Sequence, residues 1–509
     1  MSFIFTVCLL FLPQGQPLTA EAIVEKARQA MGYDKTKIPA TGLQFQGKGT
    51  FAGMPARFTL LFNRSGHYVQ RTLARLSTGS GFDGNHAWIK DLGGEERIQE
   101  LADRRNTIFM GLVLSGLWLD PSSGMKYQLP DGVHQNGVYT LQFEHSPTET
   151  KGTIQFDSKT GLPRECHLVR EARPFTVRWK ETLEYAGMKW PKETVTTSGR
   201  DSVETFSYES IQPAPTFVRN PFAPIILRAK DVKFDNTRPA ALVVKRAPTG
   251  HLLVKPLING KDVGWFIFDS GAGANCLDNK TIKELGLDTF GELPAIGIGG
   301  AVKTSFCQPE TIQLGRATFE RPMAIGLDLA FLDAPMGVHI AGVLGYGVFH
   351  RCIVEVDMRD SQIALYDPEH FDDGKLKERW QKLYQTARVA CVEAEFEGHK
   401  GIFKLDTGAA NSTVAIHAPI VEKFKLLENR DLKDSMSGGV GGMIKAKSGK
   451  LSYFELGGHR TENVEATFAT VNQGAFNTSD TLGNIGGELL KPFKLVFDYQ
   501  GKRIAFLQR

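Results

Sequence analysis

Two short stretches constrain this chain more than anything else in it. Phe266-Ile267-Phe268-Asp269-Ser270-Gly271-Ala272 and Phe403-Lys404-Leu405-Asp406-Thr407-Gly408-Ala409 are each a largely apolar strand running into an aspartate, a hydroxyl residue, a glycine and an alanine. One Asp-x-Gly is an ordinary turn. Two in corresponding surroundings imply a tandem duplication that brings two carboxylates together.

The surroundings do correspond. The first copy covers residues 240–367 and the second residues 388–509. Each opens with a hairpin, turned at Asn259-Gly260 or at Glu397-Gly398. Each carries a glycine-rich tip after its aspartate: Gly297, Ile298, Gly299 and Gly300, then Gly438, Gly439, Val440, Gly441 and Gly442. Glycines between strand-like flanks suit a mobile hairpin. Short strands ending in Leu314-Gly315 and Leu456-Gly457 come next, then Gly342-Val343-Leu344-Gly345 and Gly483-Asn484-Ile485-Gly486. Each copy closes with a further hairpin, at residues 354–365 and 495–506.

On these three features, Asp-[Ser/Thr]-Gly-Ala, the glycine-rich tip and the apolar stretch ending in glycine, each copy resembles a retroviral-type aspartic peptidase domain. The pair resembles a bacterial aspartyl protease built as a tandem. The resemblance implies two retropepsin-like β-barrel domains forming a pepsin-like pseudo-dimer. In it Asp269 and Asp406 are catalytic, and Ser270, Gly271, Thr407 and Gly408 support the catalytic loops. The two glycine-rich hairpins are flaps over an extended peptide or protein substrate. No metal or other cofactor is implied. The chain departs from the retroviral pattern at Tyr346 and Gly487, where those enzymes carry an arginine that serves the dimer interface.

The chemistry needs the pair. Two neighbouring carboxylates cannot both ionise easily, so they hold one proton between them. One member can then take a proton from water while the other hydrogen-bonds the scissile carbonyl. Ala272 and Ala409 offer no hydroxyl to stabilise the charged form, so activity is expected nearer neutral pH than in pepsin-like enzymes. The alternative is a non-catalytic lipid-, lipoprotein- or peptide-binding protein on a peptidase-like scaffold. A further alternative keeps the enzyme but pairs each copy with its counterpart in a second chain; the in-chain pseudo-dimer predicts a monomer.

Upstream, residues 19–32 read as a helix with Ile23, Ala27, Ala30 and Met31 on one face, Thr19 as cap and Gly32 as stop. Alternating patterns from about residue 42 to 212 predict a large antiparallel, meandering sheet, interrupted by a helical insertion over residues 97–118. The order of elements and the stretch Gly81-Phe82-Asp83-Gly84-Asn85-His86-Ala87-Trp88 resemble the half-barrel of periplasmic lipoprotein-carrier domains. That resemblance implies a lipid or lipoprotein at residues 21–212. Residues 213–239 read as a proline-rich linker, part of it an edge strand. Residues 368–387 read as a connecting helix burying Leu376, Trp380 and Leu383.

Composition excludes several classes. The 509 residues are 41% hydrophobic and 23% charged, an ordinary globular balance. The net charge of +4, with no dense Lys/Arg cluster, gives nucleic-acid binding no footing. The six cysteines show no C-x-x-C spacing and the twelve histidines no H-E-x-x-H, so neither a metal nor a dithiol centre is expected. Gly271 and Gly273 lack a third glycine, since position 276 is Cys, which excludes a dinucleotide loop. Residues 1–20 hold an apolar run too short to span a bilayer; it reads as a secretory signal, placing the protein in the periplasm or outside the cell.

Overall fold

A computed structural model describes residues 18–131, 134–170, 173–199, 202–374 and 376–508. The segment read as a secretory signal lies almost wholly outside these residues. Its last two positions open the first helix: Thr19 caps α1 (Ala20–Met31) by accepting from Ala22 N, and Ala20 is the helix's first residue. Gly32, in the left-handed region at φ 60°, ends it.

Helix α1 and helix α2 (Leu101–Ser115) pack on one antiparallel sheet of fourteen strands. The sheet runs unclosed from the strand Glu96–Ile98 at one edge to Met125–Gln128 at the other. Helix α2 touches strands of both halves, Ser77–Phe82 and Thr150–Asp157 among them, so the sheet curls around it as a half-barrel. The space between is filled by the protein's own side chains. Phe45, Phe62, Trp190 and Tyr208 pack together at one end, and Phe109, Phe143, Trp118 and Phe156 at the other.

The connector then runs with little regular structure until Val232–Phe234, which pairs as an edge strand with Ala317–Glu320. Beyond it the duplication is visible as topology. Each copy builds an eight-stranded sheet with its strands in the same order. The strand leading to each aspartate, Trp265–Phe268 or His399–Leu405, pairs in parallel with the strand of the apolar-Gly stretch, Ile340–Leu344 or Gly483–Ile485. That strand is flanked on its other side by Asn275–Asp278 or Val414–Ile416.

A further sheet belongs to both copies. Ile353–Asp357 of the first pairs antiparallel with Phe493–Asp498 of the second, each flanked by its own hairpin partner. One hydrophobic core runs through the junction, from Phe266, Phe268 and Leu344 to Phe403, Leu405 and Ile485. The copies are thus joined as one body by burial and backbone pairing together.

The connecting helix expected over residues 368–387 does not form. Its described residues run through turns, and Trp380–Lys382 adds a strand to the shared sheet beside Arg503–Gln508. Leu376 and Leu383 are buried as expected, but by the sheet. Gly374 and the Asp367 and Asp372 turns break the helical pattern, and sheet pairing takes over from the weak helix propensity of the charged run. Among the described residues no helix is long and apolar enough to cross a membrane.

Candidate active site

The parallel pairing explains where the aspartates lie. In each copy the strand stops at the aspartate, whose N–H donates to the last apolar residue of its neighbour: Asp269 N to Leu344 O at 2.9 Å, Asp406 N to Ile485 O at 2.9 Å. The chain then turns sharply, with Ala272 N donating to Asp269 O and Ala409 N to Asp406 O. The two turns meet across the junction of the copies.

Ser270 and Thr407 lock them. Ser270 Oγ donates to Leu405 O at 2.8 Å and accepts from Thr407 N at 3.1 Å. Thr407 Oγ1 donates to Phe268 O at 3.1 Å and accepts from Ser270 N at 2.9 Å. Both hydroxyls are buried, so four inter-copy hydrogen bonds are made with no polar group left over. Gly271 N and Gly408 N both donate to Asp269 Oδ1, at 2.7 and 3.0 Å. The glycines are required by space: a Cβ at Gly408 would lie 2.5 Å from Asp269 Oδ2, and one at Gly271 2.5 Å from Asp406 Oδ1.

Both carboxyls are pushed above the ordinary carboxylate range. For Asp269 the main cause is desolvation, followed by the charge of Asp406. For Asp406 it is again desolvation, countered by Asn484 and by the positive charge of Lys404. The pair therefore keeps a proton that two separate aspartates would have lost.

The dyad opens into a cleft of about 1620 Å³, larger than the usual small-molecule pocket. The glycine-rich hairpins line it opposite the dyad, and their tips meet. Gly299 N donates to Val440 O at 3.1 Å, and Gln473 Nε2 donates to Gly299 O at 2.6 Å. Ile298 packs into the second copy beside Ile444 and Phe476. Gly297, Gly299 and Gly441 allow these backbones to touch, since a Cβ on any of them would press on the backbone of the opposite hairpin.

Several cleft residues escaped the sequence reading. Asp91, Leu92 and Gly93, with Ala102, Asp103 and Asn106 of helix α2, wall it from the N-terminal domain. Arg388 also lines it, and its Nε comes within 3.8 Å of a Cβ built at Gly273. His251 Nε2 lies 2.7 Å from Gly408 O, where its N–H donates. Asn484 Nδ2 donates to Asp406 Oδ2 at 3.2 Å. Only Asn484 had a signal in the sequence, as a polar residue in an otherwise apolar stretch. Two histidines near the first apolar-Gly stretch sit away from the dyad: His339 pairs with Asp333, and His350 is buried against Tyr346, burial pushing its ring down to about 4.

Tyr346 shows what replaces the interface arginine of retroviral enzymes. Its hydroxyl donates to Asp91 Oδ2 at 2.9 Å and so holds the N-terminal domain. Arg351 strengthens the same seam through Asp231 at 2.7–2.9 Å and through Glu95. Among the described residues no group of three or more His, Cys, Asp or Glu is placed to hold a metal ion.

Residues 254–348 and 392–488 each match the family model described as Aspartyl protease. No curated protein matches the chain. Among solved structures, an aspartic proteinase from Irpex lacteus is 11% identical, covers 53% of this chain and 96% of its own, and has a TM-score of 0.33. A LolA superfamily protein from Nitrosomonas europaea is 12% identical, covers 39% of this chain and 96% of its own, and has a TM-score of 0.28. The two regions that resemble this family lie one in each copy of the duplicated part of the chain, and each contains its copy's aspartate, Asp269 or Asp406.

Proposed function

We propose that this chain is an active aspartic endopeptidase. The observation that carries the reading is the meeting of Asp269 and Asp406 on equivalent turns, at the floor of a cleft whose opposite wall is two glycine-rich hairpins. With one proton between them, the ionised carboxylate takes a proton from water and the protonated one hydrogen-bonds the scissile carbonyl. Water adds to the carbonyl carbon, and the tetrahedral intermediate collapses as the leaving nitrogen receives a proton. An extended substrate pairs with the hairpin strands by its backbone.

The N-terminal domain belongs to this function as a wall of the cleft. Its concave face is occupied by α1, α2 and aromatic side chains, which favours a shaping role over a carrier role for lipid or lipoprotein. The apolar run at residues 3–13 supports a working location outside the cytoplasm.

Cleavage of a mixed peptide library from pH 3 to 8, beside Asp269→Asn and Asp406→Asn, tests it. Both variants are expected to lose activity by about a thousandfold or more. A parent that cuts nothing at any pH supports a binding protein instead, and one surviving variant contradicts the shared dyad.

A further inference from the structure

The two copies depart from one another in the loop ahead of each aspartate strand. Leu253 pairs with Ile267 in the first copy and Cys391 with Lys404 in the second, and Ile267 and Lys404 each stand two residues before their aspartate. Leu253 and Cys391 are therefore equivalent, and counting back by the same step makes Gly250 and Arg388 equivalent too. Both positions take left-handed backbone, Gly250 at φ 82° and Arg388 at φ 67°. Glycine does so without steric cost and arginine does not. Ala387, beside Arg388, is left-handed as well, at φ 47°. The two residues are the whole loop of a tight hairpin, since Thr386 pairs with Val389. Such a turn favours asparagine and glycine, and Ala-Arg opposes that preference.

Helix α2 holds the turn in place. The Asp103 carboxylate accepts from Ala387 N at 3.0 Å and from the Thr386 hydroxyl at 3.4 Å. Glu100, just before the helix, pairs with Lys382 ahead of the hairpin at 3.8 Å. The tip packs on the catalytic turn of the other copy. A Cβ built at Gly273, four residues past Asp269, would lie 2.7 Å from Ala387 O and 3.8 Å from Arg388 Nε. There the Arg388 side chain lines the cleft.

Among the described residues the Arg388 guanidinium makes no hydrogen bond and no ion pair, and its Nε is buried without a partner. Gly273, beside it, has no side chain to offer. Asp91, whose carboxylate feels the Arg388 charge, is engaged elsewhere: Oδ1 accepts from Gly93 N at 2.9 Å and Oδ2 from the Tyr346 hydroxyl at 2.9 Å. A buried donor without an acceptor is unfavourable, and so is arginine in this backbone. Both are offset by a planar anion entering the cleft, which a guanidinium takes with two parallel N–H bonds.

We propose that Arg388 is a specificity-determining residue that binds a carboxylate of the peptide substrate, so that the enzyme prefers chains with a negative charge a short way from the scissile bond. The inference deepens the proteolytic reading and rests on it for its consequence. The carboxylate comes from an acidic side chain or from the peptide's own C-terminus, and the contact is the same for both. The N-terminal domain takes part, because Asp103 fixes the turn that presents the guanidinium.

The test uses matched peptides with apolar centres, made with glutamate or glutamine at one scanned position and with a free or an amidated C-terminus. kcat/KM is measured for the parent, Arg388→Gly and Arg388→Lys. Binding is measured by calorimetry on Asp269→Asn, with and without Arg388→Gly. The carboxylate form is expected to be favoured over its neutral partner by about ten- to hundredfold in both measurements. Whether the effect follows the side chain or the terminus names the source. Arg388→Gly is expected to bring the ratio near one, and Arg388→Lys, which keeps the charge but not the planar fork, to leave part of it. Arg388→Gly installs the residue the first copy uses, so its melting temperature is expected to match or exceed the parent's, and a lost ratio is then not a lost fold. A ratio near one in the parent, or one that survives Arg388→Gly, overturns the proposal whether or not the chain cleaves. Charge-dependent binding that Arg388→Gly removes, in a chain that cleaves nothing, defeats the proteolytic reading and leaves Arg388 as a carboxylate site for bound peptides.

Discussion

Ser270 and Thr407 each serve two backbone groups of the opposite copy, so neither can be trimmed without stranding a buried partner. Ser270→Ala leaves Leu405 O and Thr407 N unsatisfied and is expected to cost about 1–3 kcal/mol, read from denaturant unfolding. The dyad has the opposite effect on stability. Both aspartates sit above the carboxylate value of 3.8 that the unfolded chain shows. The folded state therefore binds its proton more tightly than the unfolded one. The stability from that proton is complete below the unfolded value and is lost as pH rises through the folded value. Asp269→Asn removes the penalty along with the activity. Its melting temperature is expected to exceed the parent's by a few degrees at pH 7, with the gap closing toward pH 4. A gap that does not change with pH contradicts the raised values. The sequence already held the logic of Asp269, Asp406, Ser270 and Thr407, because their turn is local and repeated. It did not reveal His251 or Arg388, whose roles depend on what folds against them.

The two glycine-rich hairpins look alike in sequence and are held differently. The first, Thr289–Gly297 with Gly300–Cys307, leans on the N-terminal domain: Glu292 N donates to Ala52 O at 2.8 Å, Phe290 and Leu293 pack with Ala52 and Leu76, and Arg75 lies over the Phe290 ring. The second, Lys433–Gly439 leading into Gly442–Leu456, exposes Met436 and Met443 on its strands. Amide exchange is expected to be faster at residues 433–439 than at 289–297, because the first hairpin must break packed contacts to open. Equal rates contradict an asymmetric lid. Gly408→Ala is expected to abolish turnover while leaving the shared sheet intact, since the added methyl meets the Asp269 carboxylate. The element that sequence misplaced, the charged run around residues 372–381, shows the limit of local pattern. Trp380 lies under the Arg503 guanidinium, 4.3 Å from the ring centroid, and beside the strand Arg503–Gln508. A helix there would forgo the backbone pairing that the shared sheet offers.

At the scale of the molecule, three parts are bound by two junctions. The copies share a sheet and a core, so the site is complete within one chain, and light scattering is expected to give the mass of a monomer. The N-terminal domain is bound by Tyr346, Arg351 and the Asp103 carboxylate, which accepts from Ala387 N and the Thr386 hydroxyl. Arg351→Met strands Glu95 and Asp231 at the seam and is expected to destabilise the chain by about 3–5 kcal/mol in thermal or denaturant unfolding. By itself the sequence determined the β-rich class, the duplication, the paired aspartates and the hairpins over them. These come from alternation, turn chemistry and a motif repeated along the chain, which are all local. Only the tertiary structure decided that the N-terminal domain walls the cleft, that the first hairpin leans on that domain while the second exposes Met436 and Met443, and that Asn484 and Val343 give two equivalent aspartates different neighbours. These depend on contacts between residues many dozens to hundreds of positions apart, which packing and charge bring together and which no local pattern records.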